Sequence, residues 1–162
     1  MNELSLSDLI KIVKDHESRL TSLEQLVQKG TDQEKKLIGH NLEMLSQQAG
    51  ISIEKLNELF DFESEKLTIL KLKGKDTKDK TLNLSLIVLF AYKYYFGKDD
   101  LKTQELRRNA QENGLSVGHF GDYLNELIPM YIRRIGKARS VSILYRITGP
   151  GETKAKELFK EM

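Results

Sequence analysis

From Leu6 onward, Leu6, Leu9, Val13, His16, Leu20, Leu23 and Val27 are spaced alternately three and four residues apart, and all but His16 are apolar. That spacing is the seam of a coiled coil, and Gly30 followed by Thr31 and Asp32 gives it a stop. The pattern predicts an oligomerisation helix over residues 4–29, with Leu6, Leu9, Val13, Leu20, Leu23 and Val27 at the contact between copies of the chain. Ile10, Ile12 and Leu26 widen the stripe. A bundle of more than two helices, or an amphipathic helix packed on its own domain, therefore fits the same spacing. His16 reads as a solvated or paired residue at the edge of the seam.

Residues 31–72 predict a small helical module of helix, turn, helix and short strand. Leu37, Ile38, Leu42, Leu45 and Ala49 recur at helical spacing, Gly50 interrupts, and Ser52 is placed to cap a second helix with Ile53, Leu56, Leu59 and Phe60 inward. "KLTILKL" then alternates like a half-buried strand. The second helix carries Glu54, Glu58 and Asp61 on its outer face, which would repel phosphate. This helix-turn-helix-like segment is accordingly read as a packing or partner-binding module. "KGKDTKDKT", residues 73–81, has no apolar side chain and predicts a linker.

Residues 82–162 begin with the apolar run "LNLSLIVLFAYKYYFG", a helix ended by Gly97. Thr103 is placed to cap the next helix, with Leu106 and Ala110 inward and Asn113-Gly114 as its end. Ser116 is placed to cap a third, "VGHFGDYLNELI", burying Val117, Phe120, Leu124, Leu127 and Ile128 before Pro129 stops it. Two strands, "MYIRRIG" and "VSILYRIT", follow as a hairpin with Ile132, Ile135, Ile143 and Ile147 as its core. Thr148 and Pro150 open a last helix through Ala155, Leu158 and Phe159.

"TQELRRNAQENGLSVGHFGDYLNEL" and "YRITGPGETKA" carry a family likeness. The first resembles a helix-turn-helix, with its Gly114-Leu115-Ser116 turn. The second resembles the strand-to-helix ending of bacterial and archaeal winged-helix regulators. Residues from about 81 to 162 thus resemble the winged helix-turn-helix DNA-binding superfamily. The fold class expected on that resemblance is mainly α: an N-terminal coiled-coil helix, a small helical module and a C-terminal winged helix-turn-helix with a short β-hairpin.

Charge sharpens the expectation. The net charge is only +2, but residues 1–73 carry 10 Lys+Arg and 13 Asp+Glu, whereas residues 74–162 carry 16 and 11. Ile132 to Gly151 holds Arg133, Arg134, Lys137, Arg139 and Arg146 with no acidic residue. On the resemblance this stretch is the wing, whose cations lie along a DNA backbone and release its counterions. Arg133, Arg134, Lys137 and Arg139 are then the phosphate contacts, with Arg107 and Arg108 from the preceding helix on the other side. On the recognition helix, Asn125 is placed to read adenine and His119 to reach phosphate, while Asp122 and Glu126 oppose a phosphate backbone and Gly118 and Gly121 offer no side chain.

Other functions find less support. The chain has no cysteine, which excludes disulfides, thiol catalysis and thiolate zinc sites. His16, His40 and His119 are too far apart to suggest metal spacing, no Gly-rich phosphate loop follows a strand, and Asp99-Asp100 reads as a capping pair rather than a catalytic one. No enzyme activity, cofactor or metal is expected. The start "MNELSLSDLIKIVKDHE" lacks a signal-peptide pattern and no apolar run reaches membrane length, so a cytoplasmic protein without a membrane partner is expected. The reading is a dimeric DNA-binding transcriptional regulator with duplex DNA and itself as partners, and with the acidic middle module open to another protein. The alternative is a winged-helix protein-interaction subunit that binds no DNA.

Overall fold

A computed structural model describes residues 14, 16, 17, 19–21, 41–63, 66–136 and 143–162. They are mainly helical, with two small antiparallel sheets. The chain divides into two compact units, residues 1–40 and 41–162. In the first, the described residues are helical and exposed, and the Thr21 hydroxyl donates to the Glu17 carbonyl one turn back at 3.0 Å. Of the seam positions only His16 and Leu20 are among them, Leu20 with 59% of its surface open; Leu6, Leu9, Val13, Leu23 and Val27 lie outside the described residues.

The second unit starts with helical residues 41–49 (α1), whose Leu45 and Ala49 are buried. After Gly50, the Ser52 hydroxyl accepts a hydrogen bond from the Lys55 amide at 3.3 Å and opens α2, Ile53–Leu59. Phe60, expected on the inner face of that helix, instead begins β1, Phe60–Glu63, which pairs antiparallel with β2, Lys66–Ile69. Extended backbone turns Phe60 and Phe62 to one side and leaves Asp61 exposed. A helix would have spread the three around its surface.

The expected linker is overturned too. Asp76 accepts a hydrogen bond from the Asp79 amide at 2.8 Å and caps α3, Thr77–Tyr94, and Thr81 is fully buried. The charges that look like a solvated run are an N-cap and a first helical turn. The separation of a module ending at 72 from a domain starting at 82 falls with it, because 41–162 forms one unit on one core, while residues 31–40 of the expected module, with Leu37 and Ile38, lie outside the described residues. Phe60 packs on Phe159 with ring centroids 5.4 Å apart, Phe62 stacks on Tyr95 at 4.3 Å, and Phe90 meets Phe159 at 5.3 Å. Helix α3 is buried along most of its length because elements surround it: α4, α5, α6 and β5 all touch it.

Around α3 run β3, Asp100–Lys102; α4, Thr103–Glu112; α5, Phe120–Leu127; β4, Ile132–Ile135; β5, Leu144–Ile147; and α6, Gly149–Glu161. The three strands form an antiparallel sheet in the order β3-β5-β4. Thr103 does not cap α4. Its amide and hydroxyl both donate to the Ile143 carbonyl, at 3.1 and 3.3 Å, so the sheet takes it. Lys102 stands at the cap position and the Glu105 carboxylate accepts its amide at 2.9 Å. The end of α4 is as expected: Gly114 sits at φ +73, its amide reaches the Gln111 carbonyl, and the Leu115 amide reaches that of Ala110.

Helix α5 starts at Phe120 rather than beside Ser116, since Val117 to His119 make a turn closed by the Phe120 amide on the Val117 carbonyl at 3.3 Å. Thr148 does cap α6, accepting from the Gly151 amide at 3.2 Å while its hydroxyl donates to the Met130 carbonyl at 2.6 Å. Gly151 is there because any Cβ would run into the Tyr131 carbonyl oxygen. In the β4–β5 pair Ile132 faces Ile147 and both are buried, but Ile135 faces Leu144 on the opposite side, where both are half-buried. The expected hairpin core is thus split between the two faces of the sheet.

Candidate nucleic-acid interface

Helix α4, the turn at Gly114 and helix α5 follow one another along the chain, and β4 is an edge strand of the three-stranded sheet. Leu106 and Ala110 of α4 and Phe120, Leu124 and Leu127 of α5 are buried, as helical spacing predicts. That fixes what each helix shows outward. Arg107 and Arg108 are exposed. Arg107 donates to the Val117 carbonyl at 3.4 Å, tying α4 to the turn that leads into α5, while Arg108 is 4.0 Å from Glu112 on its own helix.

On α5 and its leading turn, His119, Gly121, Asp122, Asn125 and Glu126 are exposed. Its two carboxylates both lie near a nitrogen. His119 Nδ1 is 3.6 Å from Asp122, and Glu126 is 2.8 Å from the Lys78 ammonium in the first turn of α3. Asn125 is exposed on the same helix and has no acidic or basic partner of its own among the described residues.

Strand β4 carries Arg133 and Arg134, both exposed and without an acidic partner among the described residues. Neighbours on a strand point to opposite faces. Arg133 shares the outer face with Arg146, its partner across the pair, while Arg134 lies opposite Tyr145 on the face that packs inward and is exposed because β4 is the sheet edge. Arg146 is paired in turn with Asp100 on its other side, so Asp100, Arg146 and Arg133 form a row across the three strands. The Arg146 hydrogen bonds hold the Asp100 carboxyl below the usual aspartate range. Asp100 is therefore a strand residue bound to Arg146 and caps no helix. Lys137 and Arg139 lie outside the described residues.

Sequence reasoning missed Lys78, Glu126 as its partner, and the Asp100–Arg146 pair. Lys78 lies in the segment read as a linker, and β3 has only three residues, too short for any alternation to register.

Among the described residues, two of the surface depressions can be traced. One, ≈ 350 Å³, is lined by Lys102, Gln104, Glu105 and Arg108; the other, ≈ 320 Å³, includes Tyr131, Thr153, Lys154 and Glu157. The Thr153 hydroxyl donates to the Gly149 carbonyl and Lys154 is held by Glu157, so neither is set up as a nucleophile. Among the described residues no three His, Asp or Glu side chains gather as metal ligands, and no helix is long and apolar enough to cross a membrane. Compared with family models, curated proteins and solved structures, the chain matches none.

Proposed function

We propose that residues 77–162 form a winged helix-turn-helix that binds duplex DNA, in a cytoplasmic transcriptional regulator paired through its N-terminal helix. In this reading α4 and α5 are the helix-turn-helix, and β4, β5 and the residues between them are the wing. The observation that carries it is the pair of exposed arginines on edge strand β4, unpaired with acid among the described residues, beside a basic segment that continues with Lys137 and Arg139. An edge strand guarded only against aggregation is served by any charge. Consecutive cations without a carboxylate suit a polyanion.

A second reading, a winged-helix subunit that binds protein, draws on Glu54, Glu58 and Asp61, all exposed around α2, and on Asp122 of α5. Titration of the full chain against mixed-sequence duplex DNA at low and moderate salt separates the two. Binding that weakens steeply with salt is expected for the first. A folded chain that binds no duplex at low salt ends the DNA reading in favour of the second.

A further inference from the structure

We infer that Lys78 is a positioning residue of the DNA-facing surface of α5, holding Glu126 so that its charge is cancelled where the duplex backbone approaches. The inference rests on the DNA-binding reading, and it begins from an electrostatic oddity. Lys78 occupies the first turn of α3, where the helix dipole disfavours a cation; Glu126 occupies the last turn of α5, where it disfavours an anion. Each residue is placed against its own helix. The two ends meet, and the ammonium lies 2.8 Å from the carboxylate.

Stability does not account for this placement. Both side chains are nearly half exposed, 43% and 49%, and exposed pairs of this kind contribute little to folding. The location of Glu126 accounts for it better. It is exposed next to Asn125, the side chain placed to reach a base edge, so an uncompensated carboxylate there would face phosphate. Lys78 comes from an element that is not itself part of the helix-turn-helix, which leaves the outward positions of α5 free. Asp76 and Asp79 flank Lys78 and help hold its pKa above the ordinary lysine value, after the larger effect of its hydrogen bond to Glu126.

The test is a charge cycle on the full chain, read as duplex affinity at low salt by anisotropy of a labelled mixed-sequence duplex. Lys78→Ala should weaken binding about three- to tenfold, the effect of roughly one unit charge at a screened distance. Glu126→Gln should tighten it, and the double variant should bind at least as well as wild type. Thermal melts of all three should stay close to wild type. A Lys78→Ala variant with wild-type affinity overturns the inference. So does a double variant as weak as Lys78→Ala, since Lys78 would then touch phosphate itself, or a Glu126→Gln variant that binds more weakly, since Glu126 would then be a contact. A wild-type chain that binds no duplex is a different result: it removes the DNA reading, and this inference with it.

Discussion

The Arg146 guanidinium holds Asp100 through two hydrogen bonds of 2.7 Å, Nε to Oδ1 and Nη2 to Oδ2, across the β5–β3 pair. Of the five cations between Ile132 and Gly151, this one is already engaged. It joins the sheet's shortest strand to its central one, and its carboxylate partner offsets the repulsion between Arg146 and Arg133, which stand directly opposite each other.

The sign of the Asp100 shift sets a pH dependence. Its folded pKa is depressed, so the pair's contribution is present above the unfolded value and is lost as pH falls through the folded one. Asp100→Asn should lower the melting temperature at neutral pH. The difference from wild type should shrink progressively below about pH 4. A difference that stays constant into strong acid would mean that the carboxylate charge is not what matters there.

Because Arg133 and Arg134 point to opposite faces, a flat approach to the outer face meets Arg133 and an edge-on approach meets both. Replacing both with Ala should weaken duplex binding about equally for all sequences and reduce the salt slope by roughly one unit for each phosphate no longer neutralised. Salt titrations of the single variants then decide the direction of approach: equal weakening means edge-on, and weakening confined to Arg133 means the outer face. An unchanged double variant moves the DNA-binding surface off the wing, toward Arg107 and Arg108.

Gly151→Ala should destabilise the fold by about 2–3 kcal/mol, as a Cβ forced against backbone cannot relax by rotating a side chain. Gly149 faces open space, so Gly149→Ala should change stability by no more than about 0.5 kcal/mol. Denaturant unfolding of the two variants checks the contrast. Equal effects would show that helix entry, rather than the Tyr131 carbonyl, demands glycine.

Between α3 and α6, Glu152 accepts from the Lys93 ammonium at 2.7 Å and from the Tyr94 hydroxyl at 3.0 Å. Glu152→Ala should cost about 1–2 kcal/mol, since the site is largely shielded and two donors lose one acceptor. The Lys93 pKa is raised chiefly by its bond to Glu152, and that of Tyr94 chiefly by burial. Groups with raised folded pKa values stabilise fully below their unfolded values and lose that contribution as pH climbs through the folded ones. Wild type should therefore lose stability above about pH 10, and the Glu152→Ala variant should lose less over the same range. Melts across alkaline pH measure this.

If the N-terminal helix pairs chains, the full protein should sediment as a dimer, and a chain starting at Asn41 should sediment as a folded monomer. The boundary follows the compact unit 41–162. A monomeric full chain would remove the seam as an oligomerisation device. A truncated chain that stays dimeric would place the contact in the second unit.

What the sequence determined by itself is local. Ser52 and Thr148 cap their helices, Gly114 ends α4, and Leu106, Phe120, Leu124 and Leu127 turn inward, because capping and periodicity act within four or five residues and leave their mark in the spacing. One signal of the same kind is disguised: Asp76 caps α3 through the backbone amide of Asp79, inside a charged run whose composition resembles a linker. Tertiary structure decided the rest. Thr103 serves the Ile143 carbonyl instead of its helix, Phe60 leaves α2 to meet Phe159, three residues become β3, and Lys78 finds Glu126 as Arg146 finds Asp100. Each of these joins groups some forty or more residues apart. A hydrogen bond or ring contact at that distance along the chain is selected by which backbones the packed core brings side by side, and no local spacing records it.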